Sequence, residues 1–226
     1  MRLMAIGAAL LGLLAAAPAS AQDVEPISTE NRVRLPNFLG TTGLLYTPSA
    51  YTIGDRTGAA HIHGNSDFVG GGVLAGFSDR FELGVTVLDL DDDIGSGDTE
   101  FLLNGKFLLL EERDNVPAIS FGVIDALSEL NGDVSWYVVA SKYFTRADTE
   151  EDFALVGHLG YGDGIFDDSI FAGAELIFNR NFSAMAEFQN DDFNVGVRGR
   201  WREFAATVGL FDLKHFGAGV SYNARF

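Results

Sequence analysis

The sequence predicts an all-β chain, an antiparallel transmembrane β-barrel of about twelve strands, with ten to fourteen as the range that alternation at period 2 allows. Three observations predict it. Apolar residues alternate in pieces of about 8–11 residues, punctuated by Asp, Asn, Gly and Ser. Glycine is scattered through every apolar segment, 27 in 226 residues, which disfavours helix interiors. Aromatic residues gather at the ends of the alternating pieces, and Phe226 closes the last one. A chain that must satisfy every backbone group in lipid crosses it only as helices or as a closed barrel.

Residues 1–21 read as a signal peptide. Arg2 supplies the positive start, an apolar run follows to Ala17, Pro18 breaks it, and Ala19-Ser20-Ala21 fits a cleavage site. Cleavage after Ala21 is expected. Residues 22–56 hold Pro26, Pro36 and Pro48 and alternate weakly. This segment is either a periplasmic tail or an insert that enters and occludes the barrel. Gly40, Gly43 and Pro48 favour an ordered turn over a free linker. The stretch 41–47 is open as one more short strand.

The barrel is read over 57–226, with strands at 57–64, 70–77, 81–88, 99–109, 117–125, 134–144, 153–162, 170–178, 182–190, 193–202, 204–212 and 216–226. Strand 193–202 sets Phe193, Val195, Val197 and Trp201 against Asn194, Arg198, Arg200 and Arg202. Strand 216–226 sets Phe216, Val220, Tyr222 and Phe226 against Ser221, Asn223 and Arg225. In strand 134–144 two phases compete, Trp136/Val138/Ala140 and Tyr137/Val139. Alternation alone also suits a secreted β-sandwich. The aromatics decide for the barrel. Phe77 and Phe81, Phe144 and Phe153, Phe178 and Phe182, and Trp201 and Phe204 flank four connections that all fall at one rim, as an interfacial girdle does. An even strand count returns both barrel ends to that rim.

Composition narrows the chemistry. Lys and Arg number 15 against 32 Asp and Glu, a net charge of −17, which argues against a nucleic-acid partner. Loss of the leader with Arg2 makes it −18. There is no Cys, so disulfides, thiolate metal sites and thiol nucleophiles are out. No cofactor motif and no catalytic motif occurs.

Three constellations are candidates. Arg198, Arg200, Arg202 and Arg225 share the inward phase and would make a basic patch, with Glu175 and Glu187 nearby and Glu187–Arg198 as an ion pair. This is either an anion- or sugar-acid-contacting lumen or a packed polar interior. His61 and His63 share one strand face, a spacing that binds a metal if a neighbour adds a third ligand and otherwise lines the lumen. The run Asp89–Asp98 has the alternate acids of a calcium loop but Ile94 where such a loop needs Gly, so it reads as a solvated outer loop or a weak divalent-cation bridge to lipopolysaccharide.

The segment Gly40-Thr-Thr-Gly-Leu-Leu-Tyr-Thr-Pro-Ser-Ala50 resembles a motif that follows the signal peptide in the YjbH family, outer-membrane proteins encoded beside exopolysaccharide genes. Its marked positions are Gly40, Gly43, Leu44, Thr47, Pro48 and Ala50. Phe77–Gly84 (FSDRFELG) and, in part, Ala186–Arg200 resemble two further stretches of that family. Phe226, with Tyr222 and Val220 in phase, resembles the C-terminal signal read by the barrel-assembly machinery. The resemblance implies outer-membrane localisation, partners among outer-membrane lipid and lipopolysaccharide, and a non-enzymatic accessory or conduit role in polysaccharide production. A small general porin or structural surface barrel, and a lipid-modifying barrel enzyme, are the alternatives.

Overall fold

In the computed structural model, which describes residues 34–90, 99–130, 132–145 and 153–226, each alternating piece is a strand, and the twelve close on themselves. The strands are β1 (Thr57–Gly64), β2 (Phe68–Ser78), β3 (Phe81–Leu90), β4 (Thr99–Leu110), β5 (Ala118–Ile124), β6 (Ser135–Thr145), β7 (Ala154–Gly162), β8 (Ser169–Asn179), β9 (Phe182–Gln189), β10 (Asp192–Trp201), β11 (Phe204–Phe211) and β12 (His215–Arg225). Their ends differ from the predicted ones by no more than two residues. Each strand pairs antiparallel with the next, and β1 pairs with β12, Thr57 opposite Arg225 and Gly64 opposite Ala218. Closure leaves the sheet no free edge. Residues 41–47 do not add a strand; they make only isolated bridges, Pro36 with Thr42 and Gly43 with Pro48. The leader 1–21 and the acidic run 91–98 lie outside the described residues.

Call the rim that carries Thr57 and Arg225 the lower rim. The four predicted pairs of aromatics all lie there and point outward. Phe77 packs on Phe81 at 6.1 Å and Phe178 stacks on Phe182 at 5.8 Å. A feature absent from the sequence reading contributes to three of these pairs. In the β2–β3, β4–β5, β6–β7 and β8–β9 hairpins the register slips at the lower rim, between Gly76 and Ser78, Leu108 and Leu110, Tyr143 and Thr145, and Ile177 and Asn179. The skipped residues are Phe77, Leu109, Phe144 and Phe178, all exposed. A bulge bends its strand and re-aims one side chain, here four apolar ones onto the outer surface. A second band, formed by Phe101, Phe188, Phe193 and Phe216 with the Trp136–Tyr161 pair, circles the upper rim.

Upper turns use residues that tolerate left-handed backbone. Asn190 and Asp191 have φ of 52° and 65°, the two-residue hairpin turn whose twist matches that of the strands. The phase of β6 resolves in favour of Trp136/Val138/Ala140 outward, with Tyr137 and Val139 fully buried inside. Tyr137 can turn inward because Gly122 stands opposite it on β5. A Cβ at Gly122 would come within 2.2 Å of the Tyr137 ring. Gly122→Val therefore forces the ring off its seat, at a cost of about 1–3 kcal/mol. Urea unfolding of the refolded protein is expected to show that loss, while Gly199→Ala, with open space around it, is expected to be neutral.

Candidate functional site: the occupied lumen

The bore is filled by the chain's own N-terminal segment. Residues 35–54 enter and leave by the lower rim and are buried almost throughout, Tyr46 and Pro36 excepted. The segment folds locally before it meets the wall. Asn37 Oδ1 accepts from the amides of Leu39 (3.0 Å) and Thr41 (3.1 Å), an Asx-type turn. Gly40 follows with φ of 84°, and a Cβ there would overlap Thr86 Oγ1. Leu44 N donates to Thr47 O at 2.9 Å and Ser49 N to Thr42 O at 3.0 Å. Gly43 sits where a Cβ would lie 2.2 Å from Thr47 O. The glycines of the family-like motif thus allow a tight double turn and its close approach to β3.

Two clamps hold this plug. On β3 and β4, Glu82 and Lys106 stand opposite each other in register and form a buried ion pair at 3.0 Å. Glu82 accepts from Thr41 Oγ1 (2.8 Å), Thr42 N (3.1 Å) and Ile53 N (2.7 Å). Lys106 Nζ donates to Thr42 O and Tyr51 O, both at 2.9 Å. On β9 and β10, Glu187 accepts from the amides of Leu45 (3.1 Å), Tyr46 (2.9 Å) and Thr47 (3.0 Å). Arg198 donates to Gly43 O (3.2 Å) and Leu44 O (2.8 Å), and to Thr207 Oγ1 (3.0 Å). The β3–β4 and β9–β10 pairs are six strands apart in a ring of twelve. The plug backbone is therefore gripped from opposite walls, carboxylates on its N–H groups and cations on its carbonyls.

Apolar contacts fill the rest. Leu39, Ala50 and Tyr51 of the plug join Tyr137, Val139, Tyr143 and Phe171 of the wall in one cluster. Phe38, Leu44 and Leu45 join Met185 and Phe211 in another. Leu45 fits over Gly196 and Gly209, where a Cβ would stand about 3.0 Å from its methyls. Tyr46 is the tip. It packs on Phe211 at 4.7 Å, and Asn65 in the upper β1–β2 turn donates to its hydroxyl at 2.7 Å. Burial first, then the charges of Asp67 and Glu187, hold its phenol pKa above the ordinary value. The plug so spans the bore from rim to rim.

The predicted basic patch divides. Arg198 is deep in the lumen, but it does not pair with Glu187; each binds the plug turn instead. Glu175 accepts from Ser183 Oγ at 2.5 Å. Arg200 is half-buried at the lower rim, in the lining of a small cavity with Arg180. Arg202 is not in the lumen at all: it occupies the β10–β11 turn with φ of 55°, its guanidinium 5.1 Å over the Trp201 ring. Arg225 is exposed at the end of β12. Arg202 lies beyond the end of β10, and Arg225 is the last paired residue of β12, so both reach water at the lower rim. The lumen is not basic either, because buried Glu82, Glu175 and Glu187 accompany Lys106 and Arg198. Glu82 and Lys106 were missed by the sequence reading, although both sit in the polar phase of apolar strands and face each other. Val220, Tyr222 and Phe226 lie on the outer face, Tyr222 against Phe204 at 5.1 Å.

His61 and His63 face the lumen, their Nδ1 atoms 3.1 Å apart. No group of three metal-ligating side chains forms among the described residues. Among the described residues two serine–histidine contacts are seen, and neither is wired for nucleophilic attack. Ser141 Oγ, 2.8 Å from His158 Nδ1, is sealed under the plug and accepts from Ala50 N. Ser66 Oγ donates to Asp67 at 2.8 Å, so His215, at 2.9 Å, meets its lone pair and not its proton.

No family model matches the chain, and no curated protein matches it. Among solved structures it is similar to the KdgM porin, at 11% identity and a TM-score of 0.48, over 74% of this chain and 98% of that one. The same porin in complex with disordered oligogalacturonate gives 12% identity and 0.49, over 74% and 98%. The N-terminal β-barrel domain of Pseudomonas aeruginosa OprF gives 15% and 0.28, over 76% and 99%. The closed twelve-strand assignment rests on the strand pairing above.

Glu187→Ala removes the acceptor of three plug amides and leaves Arg198 less compensated. A broken buried charge site costs about 3–5 kcal/mol. Amide exchange at Leu45, Tyr46 and Thr47 is expected to accelerate accordingly, while exchange in β2 and β3 stays unchanged.

Proposed function

We propose that the protein is an outer-membrane barrel, closed at rest by residues 35–54, that serves as a non-enzymatic accessory or conduit in surface-polysaccharide production. The observation that carries the reading is the plug: the segment resembling the YjbH motif is the segment that the two opposed clamps hold in the bore. Outer-membrane residence is supported by the exterior. Its mid-strand positions are apolar, two aromatic bands flank them, and a soluble chain would leave that whole belt in water. Lys142, outward on β6, turns its ammonium to Asp114 O at 2.8 Å in the lower β4–β5 turn, as a snorkelling lysine does. The signal peptide, the aromatic end for the barrel-assembly machinery, and contacts with lipopolysaccharide belong to the same reading. A permanently open general porin requires a clear bore, which residues 35–54 occupy.

Two measurements test it. In planar bilayers at neutral pH the full chain is expected to show no steady open-channel current; a persistent conductance in every insertion would refute the plugged state. A deletion strain is expected to make altered exopolysaccharide, and an unchanged yield would remove the polysaccharide role. Membrane residence has its own test. Val197→Arg places a charge on the outer face at mid-strand, at about 2–4 kcal/mol in lipid. Refolding into vesicles is expected to weaken by that amount, and no change would contradict a lipid-facing β10.

A further inference from the structure

Three histidines line the seam between plug and wall, and the Nε2 atoms of His61, His63 and His158 are buried with no hydrogen-bond partner. Unpaired buried polar atoms are rare enough to need a reason. For His61 and His63 the geometry supplies one. Their ring centres are 5.0 Å apart with planes 7° from parallel, yet their Nδ1 atoms are only 3.1 Å apart. The nitrogens are closer than the centres by nearly the full reach of both rings, so the two Nδ1 atoms point at each other.

Such a contact needs one Nδ1 with a proton and one without. A first added proton, taken at a bare Nε2, puts a full charge into the seat. A second turns the contact into two N–H groups head to head. Among the described residues, nothing around the pair answers that charge. The plug, β2, β11 and β12 present Asn37, Phe38, Phe68, Thr207 and Ser221, with glycines between them, and none of these titrates near neutrality. His63 is also the seat of the plug's main anchor on this wall, since the buried Phe38 ring packs on it at 5.0 Å and on Phe211 at 5.1 Å. His158 repeats the theme on the opposite side. Its ring meets Tyr51 of the plug at 6.5 Å, Ser141 is its polar partner, and its charged neighbour is a cation, Lys106.

We propose that the His61–His63 pair is a proton-operated latch: the uncharged pair seats Phe38 and holds the plug in, and the doubly protonated pair expels it and opens the bore. This rests on the reading of residues 35–54 as the plug of a conduit. Glu82, Glu175 and Glu187 are buried carboxylates in the same lumen, so the histidines must be separated from them by substitution.

The test uses the full chain in planar bilayers at pH 7.5 and pH 5.0, with a plug reporter as a second readout. The chain has no cysteine, and Thr47 is fully buried with an unpartnered Oγ1, so Thr47→Cys is a conservative single reporter. Its labelling rate is taken relative to Asp212→Cys at the exposed upper rim. The wild type is expected to be closed at pH 7.5 and to conduct at pH 5.0, with relative labelling of Thr47→Cys rising about tenfold or more. The His61→Gln/His63→Gln double variant is expected to stay closed and protected at both. Opening of the double variant at the wild-type pH would assign the effect to the carboxylates and overturn the latch, and a wild type that stays shut at pH 5.0 would do the same. If the double variant does not assemble as a heat-modifiable barrel, His63→Gln alone must move the opening to lower pH, and an unmoved midpoint overturns the proposal. Conduction by the wild type at pH 7.5 removes the plugged reading and the latch with it. Unchanged polysaccharide yield in a deletion strain removes only the biological role and leaves the latch standing.

Discussion

The structure depends on one constraint: a barrel whose outside is apolar must put its polar residues inside, and those residues must then be satisfied without bulk water. Eight strands enclose a space that side chains alone can fill. Twelve enclose more, and here the chain fills the remainder with its own backbone. Glu82 with Lys106 and Glu187 with Arg198 answer the amides and carbonyls of residues 35–54 from opposite walls. Each wall charge is compensated by peptide dipoles as well as by its neighbours. A buried ion pair is a poor source of stability by itself. The Glu82–Lys106 pair, which also satisfies four backbone groups of the inserted segment, is a device for specifying where that segment sits.

The same bookkeeping explains the wall's texture. Large inward side chains alternate with glycines across the ladder, Tyr137 over Gly122 and Leu45 over Gly196 and Gly209, so the plug can approach the sheet closely. At the lower rim four bulges move Phe77, Leu109, Phe144 and Phe178 outward. Those bulges lie on alternate hairpins, all at the rim where the plug enters. The lower rim therefore combines an aromatic outer band, the plug's points of entry and exit, and most of the described arginines. The upper rim carries acidic turns around the tip of Tyr46. Among the described residues, the excess of acid is therefore a property of the upper turns more than of the lumen, where Glu82, Glu175 and Glu187 accompany Lys106 and Arg198.

Much of this was legible along the chain. Strand positions followed from period 2, and the phase of β10 and β12 followed from where Phe, Val and Trp recur. The error on Arg202 came from extending that phase one residue past the β10 ladder, whereas Arg225 is still paired with Thr57 but ends β12 at the open rim. The ion pair expected between Glu187 and Arg198 failed for a different reason. Both residues do face the lumen on adjacent strands, but the plug presents stronger claims on each, three amides on one and two carbonyls on the other. Glu82 and Lys106 were equally visible as polar positions in apolar strands, and a register argument across the β3–β4 hairpin would have paired them.

Alternation is local chemistry, so the sequence by itself determined the class of fold and placed the strands to within two residues, while the exact strand count and the phase of β6 waited for closure. The glycines and prolines of 40–50 likewise announced a turn. Only the tertiary structure decided that this turn lies inside the barrel and which charges receive it. Leu45 and Glu187 are 142 residues apart in the chain, and their meeting depends on closure and register accumulated over every intervening strand. No local pattern encodes that sum. The histidine pair illustrates the boundary: the spacing of His61 and His63 is read directly, but the distance between their nitrogens, and the lack of any charge facing them, exist only once β1, β2, β12 and the plug have come together.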